Sequence, residues 1–203
     1  MKPAILIIGT ILLLAGCSQH ETVEEEAFGL LERYQVHRKT GLKDGDFRKF
    51  QLDGTLIEHA RYRDGKLHGE RIIYYPSGSQ EIVEQYVDGV LDGTFRSYYD
   101  GDLLEMEGPY VAGVMVGEWR RYYKNGQLME VVTFADNEEN GPFVEYHENG
   151  NLKAEGQYYN GDNEHGLLKL YDEQGVLARR MECDSGICHT IWLRPDLQTT
   201  SDE

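Results

Sequence analysis

The sequence predicts an all-β protein, a single elongated antiparallel meander sheet of tandem β-hairpins, and three observations carry this prediction. Glycines recur with a period of about 24 residues over most of the chain. Many of them follow Asp or Asn, a pairing that favours tight hairpin turns. Between these turns, apolar residues alternate with charged ones, which is the period of a half-buried strand. A fixed period of this length indicates a repeat architecture.

The N-terminal segment has the features of an export signal. Lys2 precedes an apolar stretch from Ala4 to Leu14, which is shorter than the roughly 20 residues of a membrane-spanning helix. The stretch ends in Leu14-Ala15-Gly16-Cys17, which resembles the lipobox of bacterial lipoproteins. The resemblance implies that residues 1–16 are a signal peptide and that Cys17 is acylated, with palmitate among its lipids. An ordinary signal peptide with a coincidental cysteine is the alternative.

The residues after Cys17 predict where the protein is anchored. Ser18, in place of Asp, resembles the outer-membrane sorting signal of Gram-negative lipoproteins. For a Gram-negative source, we expect a lipid anchor in the outer membrane and a domain on its periplasmic face. Residues 17–40 are expected to hold the acylated cysteine, an acidic tether and a degenerate first repeat. Within them, 28–34 is compatible with one or two helical turns.

Three series of glycines define the repeats, which we place at residues 41–192, before a polar tail at 193–203. The second series follows the first series by nine residues, or by eight in one unit. The third series follows the first series by twenty residues. Of the 23 glycines, 18 fall in these phases. The series are Gly45, Gly69, Gly93, Gly117, Gly141 and Gly166; Gly54, Gly78, Gly101, Gly126, Gly150 and Gly175; and Gly41, Gly65, Gly89, Gly113, Gly161 and Gly186.

The second and third series predict two-residue turns, because Asn, Asp and Gly tolerate the positive φ that such turns need. Each unit is then two short strands, and the chain contains about twelve to fourteen strands in all. In this scheme Gly126 needs a positive φ. We therefore expect Gly126→Val to cost more stability than Gly156→Val, because Gly156 lies outside the three series.

A two-residue turn at Asn125-Gly126 would place Tyr123 opposite Leu128 and assign each side chain to a face. One face becomes apolar and the other carries a second tyrosine ladder among basic residues. The apolar face would hold Phe47, Phe95, Trp119, Phe143, Tyr75, Tyr99, Tyr123, Leu56, Leu128, Leu152, Leu177, Tyr62, Tyr86, Tyr110, Phe134 and Tyr158. The other face would hold Tyr74, Tyr98, Tyr122, Tyr146 and Tyr171.

The aromatic ladders have two interpretations. Cross-strand packing accounts for them without any partner. A single-layer sheet, however, has no second layer over its apolar side, so part of a ladder would stay open to a partner. The candidate partner-binding residues are Tyr75, Tyr99, Tyr123, Phe95, Trp119 and Phe143.

The consensus unit is clearest in Gly117-Glu-Trp-Arg-Arg-Tyr-Tyr-Lys-Asn-Gly-Gln-Leu128. It resembles MORN-type repeats, in the variant of bacterial proteins labelled YwqK-family antitoxins, over about residues 41–192. The resemblance implies a string of β-hairpins in one long antiparallel sheet. It also implies a binding or scaffolding role without established chemistry.

The composition excludes some partners. With 36 Asp and Glu against 20 Lys and Arg, the formal charge of −16 would repel nucleic acid and anionic lipid. We therefore expect no nucleic-acid partner, and contact with a membrane only through the N-terminal lipid. The leading hypothesis is a periplasmic protein-interaction scaffold. The alternative is an immunity or antitoxin lipoprotein that neutralises a periplasmic toxin, since acidic charge suits a basic target.

No motif predicts catalysis. The seven histidines show no two-ligand spacing, and the chain contains no Gly-x-Ser-x-Gly elbow or phosphate loop. The acidic stretches 136–140 and 162–164 do not follow the ligand order of a calcium loop. We expect no metal, no cofactor and no enzymatic activity.

Two cysteines remain after Cys17. Cys183 occupies a position that is aromatic in the other units, and Cys188 lies across a predicted turn from it. In an exported protein such a pair predicts a disulfide. Two free thiols are the alternative.

Overall fold

The computed structural model describes residues 19–198 and is all-β apart from one 3-10 turn at Pro195–Leu197. The chain divides into two compact units, Met1–Asp102 and Leu103–Glu203. Between residues 19 and 198, no helix has the length and apolar character to cross a bilayer. The predicted signal peptide, Cys17 and Ser18 lie outside the described residues.

The first unit contains eight strands, and consecutive arms pair antiparallel. The strand that follows β6 is interrupted at Asp92, and its two parts, β7 and β8, both pair with β6. The strands are β1 (His20–Ala27), β2 (Leu30–His37), β3 (Lys43–Gln51), β4 (Leu56–Arg63), β5 (Lys66–Tyr74), β6 (Gln80–Val87), β7 (Val90–Leu91) and β8 (Gly93–Tyr99).

The second unit contains nine strands with the same antiparallel order. One strand is again interrupted, at Val116, and its two parts, β10 and β11, both pair with β9, the first strand of the unit. The strands are β9 (Leu103–Val111), β10 (Val114–Met115), β11 (Gly117–Tyr122), β12 (Leu128–Ala135), β13 (Glu138–Tyr146), β14 (Leu152–Tyr158), β15 (Gly166–Tyr171), β16 (Leu177–Asp184) and β17 (Ile187–Leu193).

The predicted fold class, an all-β antiparallel meander of hairpin repeats, is confirmed. The prediction of an acidic tether is wrong, because β1 and β2 form a hairpin that pairs with β3. The glutamates of β1 are accommodated by pairing, as in the 2.6 Å contact between Arg33 Nε and Glu24 Oε1. The helical turns at 28–34 are also wrong, since Phe28 and Gly29 form the turn. This hairpin and the interrupted arms raise the strand count to 17 among the described residues.

Four glycines of the third series, Gly65, Gly89, Gly113 and Gly186, form the predicted two-residue turns. The prediction is wrong for Gly41 and Gly161, which lie in the longer connections 38–42 and 159–163. Asp64 and Gly65 have φ values of 48° and 80°, the pair of positive angles that defines a type I′ turn. The first position is not restricted to Asp or Asn, since Phe28, Ala112 and Ser185 also adopt positive φ there. Glycine at the second position is therefore the more reliable sequence signal.

Five glycines of the second series, Gly54, Gly78, Gly126, Gly150 and Gly175, form three-residue loops, so the predicted two-residue turns there are wrong. The Gly126 amide donates to the Tyr123 carbonyl, and the Tyr123 amide donates to the Gln127 carbonyl. This is a type I turn closed by a glycine at positive φ. The extra loop residue moves the register by one, so that Tyr122, rather than Tyr123, pairs with Leu128. The leucine series therefore shares the face of the second tyrosine ladder.

A bulge in the following strand restores the predicted faces. Arg121 pairs with Glu130 while Tyr122 pairs with Leu128, so β12 has one residue more than β11 at this point. Beyond the bulge, Val132 pairs with Trp119 and Phe134 pairs with Gly117. The extra residue of the loop changes the face of Leu128, and the extra residue of the bulge returns Val132 and Phe134 to their predicted face.

In the first glycine series, Gly45, Gly69 and Gly141 lie inside strands at bulges, and Gly93, Gly117 and Gly166 begin strands. In β5, residues 68–70 stand against one residue of β4, because Ala60 pairs with Arg71 and Tyr62 pairs with Leu67. Gly69, with a φ of 90°, supplies the conformation that this bulge needs.

The buried core forms mainly on the face that carries Phe47, Trp119 and Phe143, each 3% exposed. Small residues lie opposite these rings, as Ala60 does for Phe47 and Gly156 for Phe143. Most other buried side chains belong to the same row. The eleven buried hydrophobic residues among those described are Tyr34, Phe47, Ala60, Ile72, Val83, Trp119, Val132, Phe143, Ala154, Leu168 and Cys183.

The two described glycines without positive φ, Gly108 and Gly156, allow close packing. A Cβ on Gly108 would lie 2.1 Å from the Trp119 ring, and one on Gly156 would lie 2.9 Å from the Phe143 ring. By contrast, a Cβ on Gly126 would have no neighbour within 4 Å. Gly156 therefore has no room for a larger side chain, and we now expect Gly156→Val to be the more damaging substitution.

Candidate binding site

The six predicted partner-binding residues do not form one accessible surface. Trp119 and Phe143 are 3% exposed and form the core, so their faces are largely closed to a partner. Phe95 and the three tyrosines are half-buried. Their part in binding stays a prediction.

The tyrosines at the loop positions connect successive repeats. Tyr75 donates its hydroxyl to the Tyr98 carbonyl, and Tyr123 donates to the Tyr146 carbonyl, each at 2.8 Å. His147 takes the same place in the next unit, with Nε2 3.2 Å from the Tyr171 carbonyl oxygen. These side chains satisfy backbone carbonyls near strand ends, which gives this ladder a structural role of its own.

The second tyrosine ladder is held by carboxylates. Tyr122 donates to Glu107 at 3.2 Å, and Tyr171 donates to Glu155 at 2.7 Å. Lys169 Nζ lies 2.8 Å from the same Glu155 oxygen. Burial, followed by the hydrogen bond to Glu155, raises the pKa of Tyr171 to about 12. These contacts occupy the hydroxyls of both rings.

A charged cluster that the sequence did not predict lies in the first unit. Arg71 stands at the position of Phe47 and Trp119 in their units and contacts Glu58 at 2.7 Å and Glu84 at 2.9 Å. Burial acts to lower the pKa of the Arg71 guanidinium, but the hydrogen bonds with Glu58 and Glu84 outweigh it and raise that pKa. The only signal in the sequence is that Arg71 occupies a position of the repeat that is aromatic in other units, as at Phe47 and Trp119. With two carboxylates against one guanidinium, the cluster has a formal charge of −1.

The cysteine pair occupies the predicted place. Cys183 pairs with Cys188 across the turn at Ser185 and Gly186, and the two sulfur atoms are joined in a disulfide. Cys183 also pairs with Gly166, as Tyr158 pairs with Gly141. The disulfide thus replaces an aromatic ring in the last unit.

One recess of the second unit is a pocket of about 270 Å³ on the Trp119 face. Its floor is a corner between the Trp119 and Phe134 rings, whose centroids are 5.9 Å apart at an interplanar angle of 63°. Glu139 pairs with Phe134 on the next strand, and Glu130 pairs with Arg121. The residues that line it are Met106, Met115, Trp119, Arg120, Arg121, Glu130, Val132, Phe134 and Glu139.

Glu130, Glu139, Arg120 and Arg121 line the pocket, so its formal charges balance. Burial raises the pKa of Glu130 and Glu145 adds to this effect, while Arg121 acts in the opposite direction. Burial also raises the pKa of Glu139, with added repulsion from Glu130. The neighbouring Tyr158 has a raised pKa, first because of burial and then because of the carboxylates around it, Glu139 foremost.

The described residues form no metal site: between residues 19 and 198, no group of three or more His, Cys, Asp or Glu side chains is arranged to hold an ion. The arrangement that remains is a recess beside the Trp119 and Phe134 rings, with charged side chains of both signs around it. Such a site can bind a side chain or small cation without covalent chemistry.

Comparison with known proteins identifies two of the repeats. Residues 115–136 and 139–160 match the MORN repeat variant. Together with the hairpin geometry, these matches support a MORN-repeat protein. The two segments contain Met115, Trp119, Glu130, Phe134 and Glu139, so most of the pocket lies within them. No curated protein matches the chain.

Proposed function

We propose that this chain is a repeat-based protein-interaction scaffold, non-catalytic and held by lipid at Cys17 on the periplasmic face of an outer membrane. The observation that carries the scaffold role is the pocket beside the buried Trp119 ring, lined by Met106, Met115 and Phe134. Among residues 103–198, no helix and no second sheet covers the sheet face of this pocket. Concave apolar sites with a few charged groups are the usual form of a recognition site.

The anchoring part of the proposal rests on the sequence around Cys17. The order Leu14-Ala15-Gly16-Cys17 supports acylation, and Ser18 supports sorting to the outer membrane. A lipid-anchored scaffold would present its repeats to proteins of the same compartment.

An immunity role against a periplasmic toxin is the second candidate. The formal charge of −16 favours a basic target over an acidic one. A gene for a secreted basic toxin beside this one would support the immunity role.

The scaffold role is tested by capture from a periplasmic extract with the full chain as bait. Met115→Lys places a long cationic side chain in the pocket, and Val111→Lys makes the same charge change at a residue that is 54% exposed. We expect Met115→Lys to reduce capture of the main partner about tenfold per folded molecule, while Val111→Lys leaves capture within about twofold. Unchanged capture by folded Met115→Lys would refute binding at this pocket.

A further inference from the structure

The chain contains four Asn-Gly dipeptides, at Asn125, Asn140, Asn149 and Asn160. In such a dipeptide the backbone nitrogen of the glycine can attack the asparagine Cγ, because a residue without Cβ leaves that nitrogen unhindered. A bond forms between the nitrogen and Cγ, the Cγ–Nδ2 bond breaks, and the side-chain amide group leaves as ammonia with the proton of the glycine nitrogen. Water then opens the resulting succinimide to aspartate or isoaspartate. The reaction needs no other reactant, so its rate depends on how the fold restrains these atoms.

The fold holds the reacting atoms of Asn125 apart with three hydrogen bonds. The Gln127 amide donates to Asn125 Oδ1 at 2.9 Å, and Asn125 Nδ2 donates to the Glu148 carbonyl at 3.0 Å. The attacking nitrogen, that of Gly126, donates to the Tyr123 carbonyl at 2.9 Å. Attack on Cγ would turn the side chain away from its partners and remove the proton that Gly126 donates, so all three contacts oppose the reaction.

Asn149 is restrained in the same way in the next unit. The Asn151 amide donates to Asn149 Oδ1 at 2.9 Å, and Asn149 Nδ2 donates to the Glu173 carbonyl at 2.7 Å. The Gly150 nitrogen donates to the His147 carbonyl at 2.8 Å. In both units the asparagine side chain thus connects its own loop to the following repeat, and this connection protects the dipeptide.

Asn140 is restrained by the sheet rather than by its side chain. It lies inside β13 and is half-buried, and the following residue, Gly141, pairs with Tyr158 of β14. Closure of the succinimide ring requires the main chain between Asn140 and Gly141 to rotate. Pairing of β13 with β12 and β14 opposes this rotation.

Asn160 lacks these restraints. It is exposed and lies in the connection 159–163 between β14 and β15. Within residues 19–198, its side-chain amide makes no hydrogen bond, whereas its backbone carbonyl accepts one from Asn163 Nδ2 at 2.9 Å. The Gly161 nitrogen donates to the Glu139 carbonyl at 3.1 Å. Attack on the Asn160 Cγ must therefore break the Gly161 contact, but no contact of the side chain.

We propose that Asn160 is a site of spontaneous deamidation, while the folded repeats protect the other three asparagines of this dipeptide. The aspartate product adds one negative charge to a connection that already contains Asp162. The isoaspartate product also lengthens the main chain by one methylene group, which displaces the Gly161 nitrogen from the Glu139 carbonyl. The modification thus lies at the end of the second matched MORN segment, 139–160.

The test incubates the full chain at mildly alkaline pH and follows all four dipeptides by peptide mapping and mass spectrometry. Deamidation is detected as the mass gain that accompanies the change from amide to acid. We expect Asn160 to deamidate about tenfold faster than Asn125 or Asn149 in the folded chain, because each hydrogen bond that must open lowers the reactive population several-fold. In denaturant, the four dipeptides should react at similar rates.

Two variants at the site serve as controls. In Asn160→Gln, attack would have to close a larger ring, so this peptide should keep its mass while the other three dipeptides react as before. The Asn160→Asp variant supplies the aspartate peptide as a chromatographic standard. A second product of equal mass and different retention is then the isoaspartate peptide, and thermal melting checks that each variant is folded.

A rate at Asn160 that is no higher than the rates at Asn125 and Asn149 in the folded chain would overturn the proposal. The same order of rates in the folded and the denatured chain would also overturn it, since the flanking sequence rather than the hydrogen bonds would then determine the site.

Discussion

At the residue scale, glycine serves this protein in two physically different ways. Glycines such as Gly126 supply positive φ at a turn and face open space. Gly108 and Gly156 have ordinary φ and leave room for the rings of Trp119 and Phe143. The repeat period identifies the first kind. Only the position of the neighbouring rings identifies the second.

Gly156→Val is expected to be the more damaging of two glycine substitutions. A valine there would collide with Phe143 and Leu168, and overpacking of this kind costs about 1–3 kcal/mol or more. Gly126→Val meets only backbone strain, of roughly 1–2 kcal/mol. The measurement is the free energy of unfolding in denaturant for each variant.

A double-mutant cycle with Phe143→Leu separates the two mechanisms. Loss of the large ring should reduce the destabilisation caused by Gly156→Val, with a coupling energy of about 0.5–3 kcal/mol. The effects of Gly126→Val and Phe143→Leu on stability should be additive. Additive behaviour for both pairs would mean that contact with Phe143 is not what makes Gly156 necessary.

At the element scale, the hairpin is the structural unit, and the kinds of turn alternate along the chain. A two-residue turn with two positive φ values joins one pair of strands, and a three-residue loop with a bulge joins the next. The difference of one residue decides which face each side chain takes. The last hairpin, β16 and β17, carries the disulfide in place of an aromatic contact.

The Cys183–Cys188 disulfide should stabilise only its own hairpin. It closes a short loop, so we expect reduction to cost roughly 1–3 kcal/mol at most. Protein isolated without reductant should resist alkylation at both cysteines, with the bridged peptide detected by mass spectrometry. Complete alkylation of both thiols in that sample would remove the disulfide from the protein.

At the scale of the whole molecule, the net charge bears on how the protein could meet a membrane. The formal charge is −16, which disfavours contact with anionic lipid headgroups. Under the proposed anchoring, we expect membrane association to depend on acylation of Cys17.

Cys17→Ser is expected to abolish acylation. The variant should accumulate as an unprocessed precursor or a soluble species, because the modified sulfur is lost and the acidic domain has no affinity of its own for the membrane. Detergent partitioning and the intact mass report the outcome. A variant that still partitions into the detergent phase like the wild-type chain would contradict the lipoprotein prediction.

The sequence by itself determined the features that obey local rules. The period of the glycines, the type I′ turns and the all-β hairpin architecture follow from backbone conformations that few residues other than glycine adopt readily. The pairing of Cys183 with Cys188 follows from the same turn. These features depend on residues close together in the chain, and so the sequence displays them directly.

Only the tertiary structure decided the register, the burial of particular rings and the shape of the pocket. A loop of two or three residues fits the same Asn125-Gly126 pair, yet the choice moves Leu128 to the other face. Trp119 is buried because Gly108 leaves space beside it, and Glu139 reaches an aromatic corner because of its cross-strand partner Phe134. Burial and charge at a site depend on neighbouring strands, and no single unit of the repeat contains that information.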